Sequence, residues 1–208
     1  MKIPLEWLNE YVDIKSIPPK GISEAFTSLG LLLDKPITDN VMDLEHRMDR
    51  SDWLSIIGCA RDLAAYLKLE LKYPELYKEK GKENGGIKIQ VDCPKLVNRF
   101  NTRVFRKIKV DSSPKWLRDR LEAYGMPSIN NIVDITNYVM VEFGQTLHAQ
   151  DIDKMESPEI VIRLAKKGET VTTLLGETVE LDDGAFVLTQ NGKPTVIGGI
   201  VGGVTTAV

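Results

Sequence analysis

The chain has 208 residues, 42% of them hydrophobic and 27% charged, with a formal net charge of −3. That is enough apolar material for one large core or two small ones, and it excludes a largely disordered chain; the negative balance excludes a general electrostatic attraction to nucleic acid but not a local basic surface. No apolar run is long enough to span a bilayer, and the opening Met1-Lys2-Ile3-Pro4-Leu5-Glu6-Trp7 is amphipathic rather than signal-like, so a cytoplasmic protein with no membrane partner is expected. Cys59 and Cys93 have neither metal-ligand spacing nor a second pair, so both are read as reduced thiols.

In chain order, residues 1–71 read as a small, mainly helical domain. Trp7, Leu8 and Tyr11 suggest a short amphipathic turn. Pro18-Pro19 punctuates, and the run from Ser23 to Leu29 leads to a helix stop at Gly30. Val41 to Glu45 reads as extended. A helix opened by Ser51 or Asp52 as N-cap follows, with Leu54, Ile57, Ala60, Leu63, Ala64 and Leu67 at three- and four-residue steps; Gly58 is small enough for a close contact. Residues 72–88 form a linker candidate, because Lys78 to Gly86 offers no apolar face.

From residue 89 to 208 the pattern is mixed. Ile87 to Val91 alternates as a strand, and Phe100 to Val110 reads as a second, with Val104, Ile108 and Val110 facing inward. Ser112-Ser113-Pro114 opens a helix, with serine capping, that stops at Gly125. Ile129, Ile132, Val133, Ile135, Val139, Met140 and Phe143 then predict a largely buried helix ending at Gly144. Asn131, Asp134, Thr136 and Asn137 on that helix need hydrogen-bond partners, which makes it a candidate site. Beyond it come four strand-like runs, Ile160 to Arg163, Thr170 to Leu174, Ala185 to Thr189 and Thr195 to Ile197, followed by the glycine-rich Gly198 to Gly203. The fold class is α+β. Between Lys95 and Arg120 nine lysines and arginines face only Asp111 and Asp119; this is either a solvated charged face or a phosphate-contacting patch. No nucleophile elbow, His-Glu-x-x-His, paired-cysteine set or phosphate loop is present.

Val133-Asp134-Ile135-Thr136-Asn137-Tyr138-Val139, His148-Ala149-Gln150-Asp151, Thr172-Thr173-Leu174-Leu175-Gly176 and Gly198-Gly199-Ile200-Val201-Gly202-Gly203 together resemble the B3/B4 domain of bacterial phenylalanyl-tRNA synthetase beta subunits. Asp43-Leu44-Glu45 and the run Asp49 to Ala64 resemble the helical B1 region before it. In many members an oligonucleotide-binding fold interrupts B1; here Leu31 to Pro36 runs almost directly into Asp43, which leaves no room for it. The resemblance implies a B1-like domain over 1–71 and a B3/B4 domain over 89–208, with several strands packed on helices and truncated at its C-terminus.

It also implies an editing hydrolase that cleaves the ester of tyrosine mischarged on the tRNA for phenylalanine, by water and without a covalent enzyme intermediate. An apolar pocket rejects an added hydroxyl by only about 10²-fold, so a second, hydrolytic site is needed. By resemblance, Thr136 and Asn137 line the pocket and His148 joins them as catalytic residues, while Gly198, Gly199 and Gly202 let the main chain approach substrate. Arg103, Arg106 and Arg118 are the tRNA-contact candidates from the basic window. No metal or cofactor is implied for this piece; the parent synthetase implies ATP and Mg2+, an alpha subunit in a heterotetramer, and aminoacylated tRNA as partners. The chain departs from the family at Pro127, where an arginine is common, at Gln150, where an aromatic is usual, and at Leu175, where aspartate is usual. It ends at Val208, before the strand whose glutamate recognises the tyrosyl hydroxyl. A non-catalytic RNA-binding or scaffold module and a free-standing trans-editing hydrolase are the alternatives.

Overall fold

A computed structural model describes residues 1–75, 77 and 85–208, so most of the charged linker stretch lies outside the described residues. The chain is α+β and divides into two compact units, Met1–Lys78 with Val110–Leu147, and Glu79–Lys109 with His148–Val208. This division differs from a linear cut at 72–88. The helical segment 110–147 contributes Val141, Tyr124, Met126 and Tyr138 to the same apolar core as Ile3, Trp7, Phe26 and Leu63, and that shared burial assigns it to the first unit.

The first unit holds the three-stranded sheet β1 (Lys2–Pro4), β3 (Val41–Leu44) and β2 (Leu33–Thr38), in the order β1-β3-β2, and five helices: α1 (Leu5–Tyr11), α2 (Pro19–Leu29), α3 (Ile56–Leu67), α4 (Lys115–Tyr124) and α5 (Asn131–Phe143). Pro19 occupies the first turn of α2, where its missing N–H costs nothing, and Gly30 ends the helix in the left-handed region at φ 93°. β2 turns directly into β3 through Asp39 and Asn40, both at positive φ, the geometry of a tight type I′ hairpin. The cap of α3 is Ser55, whose hydroxyl accepts from Gly58 N, while Ser51–Leu54 forms a 3-10 turn ahead of it; the expected cap at Ser51 or Asp52 is thus displaced. A β-carbon on Gly58 would collide with the main-chain oxygen of Asp52, so its smallness serves that turn rather than a second helix.

The second unit is built from a five-stranded sheet in the order β10-β9-β8-β5-β4 and a two-stranded ribbon of β6 and β7. Its strands are β4 (Lys88–Val91), β5 (Glu159–Leu164), β6 (Thr170–Thr172), β7 (Thr178–Glu180), β8 (Phe186–Gln190), β9 (Lys193–Ile197) and β10 (Val201–Gly202). β4 and β5 are parallel, and the crossover that such a pair requires is the whole stretch containing α4 and α5. Asn191 and Gly192, both at positive φ, close the β8–β9 hairpin. Ile160, Ile162, Leu188 and Val196 bury one face of the sheet, and Val187 and Ile197 bury the other against Val171 and Leu181.

The strand expected over Phe100–Val110 does not form. Lys107 sits in the left-handed region at φ 59°, which breaks the extended run; of the residues expected to face inward, Val104 is half-buried, while Ile108 and Val110 are 53 and 51% exposed.

Candidate functional site

α5 stops at Gly144 where periodicity places it, but it starts only at Asn131, leaving Ile129 outside the helix and exposed, and it does not bury what periodicity predicts. Asn130 caps it, its side chain accepting from Ile132 N and Val133 N, and Gly144 ends it at φ 74°. The fully buried residues of α5 are Asp134, Val141 and Glu142, whereas Ile135 and Phe143 are exposed. A hydrophobic repeat cannot show that two carboxylates face inward with their own donors.

Each polar group of α5 can now be accounted for. Asp134 accepts from the Ser113 and Ser128 hydroxyls, both at 2.5 Å, and from Ile129 N at 2.8 Å. Burial pushes this carboxyl up, but the three hydrogen bonds outweigh it and hold the pKa below the usual aspartate value. Ser113 is therefore bound to Asp134 and does not cap α4, whose cap position is Pro114. Asn131 Oδ1 accepts from Asp111 N. Thr136 donates its hydroxyl to Val133 O at 2.7 Å, a bond within its own helix that leaves the oxygen only as an acceptor. The Asn137 amide is half-buried and makes no hydrogen bond among the described residues.

At its far end α5 is tied by Glu142, which accepts from Tyr11 OH and from Tyr138 OH. Burial first, then the carboxylate, pushes both phenols well above their ordinary range. Arg120 donates to Tyr138 OH and pairs with Glu10, its guanidinium lying among the rings of Trp7, Trp116 and Tyr138, while Trp7 stacks on Tyr138 at 4.7 Å. This network was missed from sequence; the i,i+4 spacing of Tyr138 and Glu142 is the signal that could have found it.

The second unit brings together His148 and the glycine-rich end of the sheet. The position that a β-carbon would take on Gly202 is filled by the His148 ring and approached by Leu174 at 3.0 Å. His148 is exposed as a residue, and contact on the Gly202 side desolvates the imidazole only in part, which lowers its pKa below the usual value. Gly198 gives way in the same manner to the ring of Phe186, and Gly203 to Thr195 O; Gly199 turns in the left-handed region at φ 73°. Side-chain and backbone packing inside the unit therefore already requires Gly198 and Gly202. Elsewhere in this unit, Arg163 clamps Glu169 through two bonds of 2.7 and 2.8 Å, and that pairing drops the glutamate pKa to about 2.

Arg103 and Arg106 are exposed in the second unit, whereas Arg118 is exposed on α4 in the first, so the basic window is split between units; Lys115 pairs with Asp119 and Arg120 with Glu10. Among the described residues no group of three or more His, Cys, Asp or Glu side chains is disposed to hold a metal ion. Burial raises the Cys59 thiol to about 12, so it is not a nucleophile. No helix among the described residues is long and apolar enough to cross a membrane.

Residues 96–208 match the family described as the B3/4 domain. The chain is 41% identical over 174 residues to the phenylalanine–tRNA ligase beta subunit of Carboxydothermus hydrogenoformans, covering 83% of this chain and 22% of that protein. It is 34% identical over 213 residues to that of Rhodopirellula baltica, covering 100% and 31%. The chain thus spans less than a third of either relative's length. Among solved structures it is similar in fold to an N-terminal fragment of the phenylalanyl-tRNA synthetase beta subunit from Pyrococcus horikoshii, with a TM-score of 0.51, 16% identity, and coverage of 100% of this chain and 63% of that one.

Proposed function

This chain belongs to the B3/4 domain family, and from that premise we propose that it serves as a segment of a phenylalanine–tRNA ligase beta subunit that hydrolyses the ester of tyrosine mischarged on the tRNA for phenylalanine. The observation that carries this reading is the His148 imidazole seated on Gly202 with a lowered pKa, which keeps a base in its neutral form at neutral pH. In the proposed reaction a water attacks the ester carbonyl carbon while His148 accepts its proton. The bond to the ribose oxygen breaks as that oxygen takes up the proton, releasing tyrosine and free tRNA. Thr136 and Asn137, which the resemblance also assigns to the pocket, belong to the first unit whereas His148 and the glycines belong to the second, and they are given no part in this step. The main chain at Gly198, Gly199 and Gly202 contacts the aminoacyl group. An alpha subunit and tRNA are the partners this assignment entails.

Tyrosine release from Tyr-tRNA tests the proposal. His148→Ala is expected to slow release by about 10²-fold or more, the usual contribution of a positioned acid–base group. Because the folded pKa lies below 6.5, the rate stays level across neutral pH and falls only as acid protonates the imidazole; the His148→Ala variant loses that acid limb. A trapped acyl-enzyme contradicts the water mechanism. One observation favours a second reading, a non-catalytic RNA-docking module: the Thr136 hydroxyl proton is already committed to Val133 O. Under that reading Thr136→Ala and His148→Ala bind RNA normally and the wild type releases nothing.

A further inference from the structure

We propose that the stretch Lys95–Lys109 of the second unit, centred on Phe105, is a docking strip for single-stranded RNA. The proposal deepens, and rests on, the reading that the chain acts on tRNA. Six lysines and arginines fall in these fifteen residues with no aspartate or glutamate, in a chain whose net charge is −3. Sequence pattern makes this a strand with an inward apolar face. Instead, the turn at Lys107 into the left-handed region interrupts the strand expected over Phe100–Val110, which pairs with no strand among the described residues, and Leu96, Phe105 and Ile108 stand 57, 62 and 53% exposed. Arg106 and Lys107 immediately follow the exposed ring; both are exposed, and neither forms an ion pair among the described residues.

An exposed aromatic ring beside cations free to meet phosphates is the combination that binds unpaired nucleotides: the ring stacks on a base face and the cations follow the backbone. Duplex RNA presents no free base faces to such a ring, so the strip fits the unpaired acceptor end of a tRNA rather than its stem. A protein partner would cover Phe105, Leu96 and Ile108 equally well, but Arg106 and Lys107 beside the ring, exposed and without an ion pair among the described residues, favour a polyanion.

The test is fluorescence anisotropy of a labelled, uncharged 12-nucleotide single-stranded RNA ending in CCA, titrated with the full chain at several salt concentrations. Phe105→Ala is expected to weaken binding about tenfold, within the range of one lost base stack, whereas Phe105→Trp binds like wild type and its indole emission is quenched by RNA. Replacing Arg106 and Lys107 by alanine lowers the slope of log affinity against log salt by roughly 0.7 for each cation removed. Wild-type affinity in Phe105→Ala overturns the proposal, as does equal affinity for a duplex of the same length. Failure to bind RNA at about 50 mM salt, near the low-salt end of the range where phosphate contacts are strongest, also overturns it, and assigns the strip to a protein partner. Because the probe carries no amino acid, lost ester hydrolysis with RNA binding intact counts against the function proposed above, not against this strip.

Discussion

Asp134 illustrates how much a single side chain settles. A carboxylate with three donors, fully removed from solvent, joins the loop before α4 to the first turn of α5. Asp134→Ala strands two hydroxyls and one main-chain N–H, and should cost about 3 kcal/mol in urea denaturation at pH 7. The sign of its pH dependence follows from the lowered pKa. Its contribution is complete above the unfolded aspartate value and is lost as pH falls through the lower folded value, so the gap between wild type and Asp134→Asn narrows in acid. That Asp134 needs partners is legible in the sequence; that Ser113 and Ser128 supply them is not, because both also fit turn and cap roles. Gly202 shows the same asymmetry. A glycine run signals close approach, but only the coordinates reveal that the approaching group is the His148 ring. Gly202→Ala therefore displaces the imidazole, and its expected signature is a shifted His148 titration by NMR together with a loss of about 1–3 kcal/mol of stability from overpacking.

At the scale of the element, α5 is a helix pinned at both ends. Asn130 and Asp134 fix its start, and Glu142 with Tyr11, Tyr138 and Arg120 fixes its finish. Between these ties lie Thr136 and Asn137, the pair on which the family resemblance rests. Glu142→Ala leaves two buried phenol hydroxyls without their acceptor and is expected to lower stability by about 2–4 kcal/mol, with Glu142→Gln recovering most of the loss; thermal unfolding measures both. The glycine stops at Gly30, Gly125 and Gly144 were readable because they are local chemistry, whereas the caps of α3 and α4 were not, because Ser55 and Pro114 hold them in place of the expected residues. The inward face was not, since periodicity ranks side chains by hydrophobicity and cannot see a carboxylate already provided with donors. Phe100–Val110 failed for a related reason: alternation describes a strand's faces, while a strand also needs a partner ladder, and the left-handed turn at Lys107 denies it one.

Across the whole molecule, the two units each carry their own apolar core, and the matched family span of 96–208 runs through both. A division along the sequence at the charged stretch 72–88 separates residues 1–71 from α4 and α5. The core instead unites them, because the chain leaves the second unit at residue 110 and returns at 148. Linear composition marks where a chain is polar, not which distant helix will share its core. The α+β class, the helix stops and the family resemblance were all legible, whereas the partition into units depended on tertiary contacts. The central claim, that this chain edits mischarged tRNA, is tested most directly by comparing amino-acid release from Tyr-tRNA and Phe-tRNA at neutral pH for the wild type and His148→Ala. The account predicts that tyrosine is freed well above the spontaneous rate and phenylalanine is spared, with the histidine variant slowed by about 10²-fold. Release of neither amino acid above background, or equal rates in wild type and variant, would contradict it.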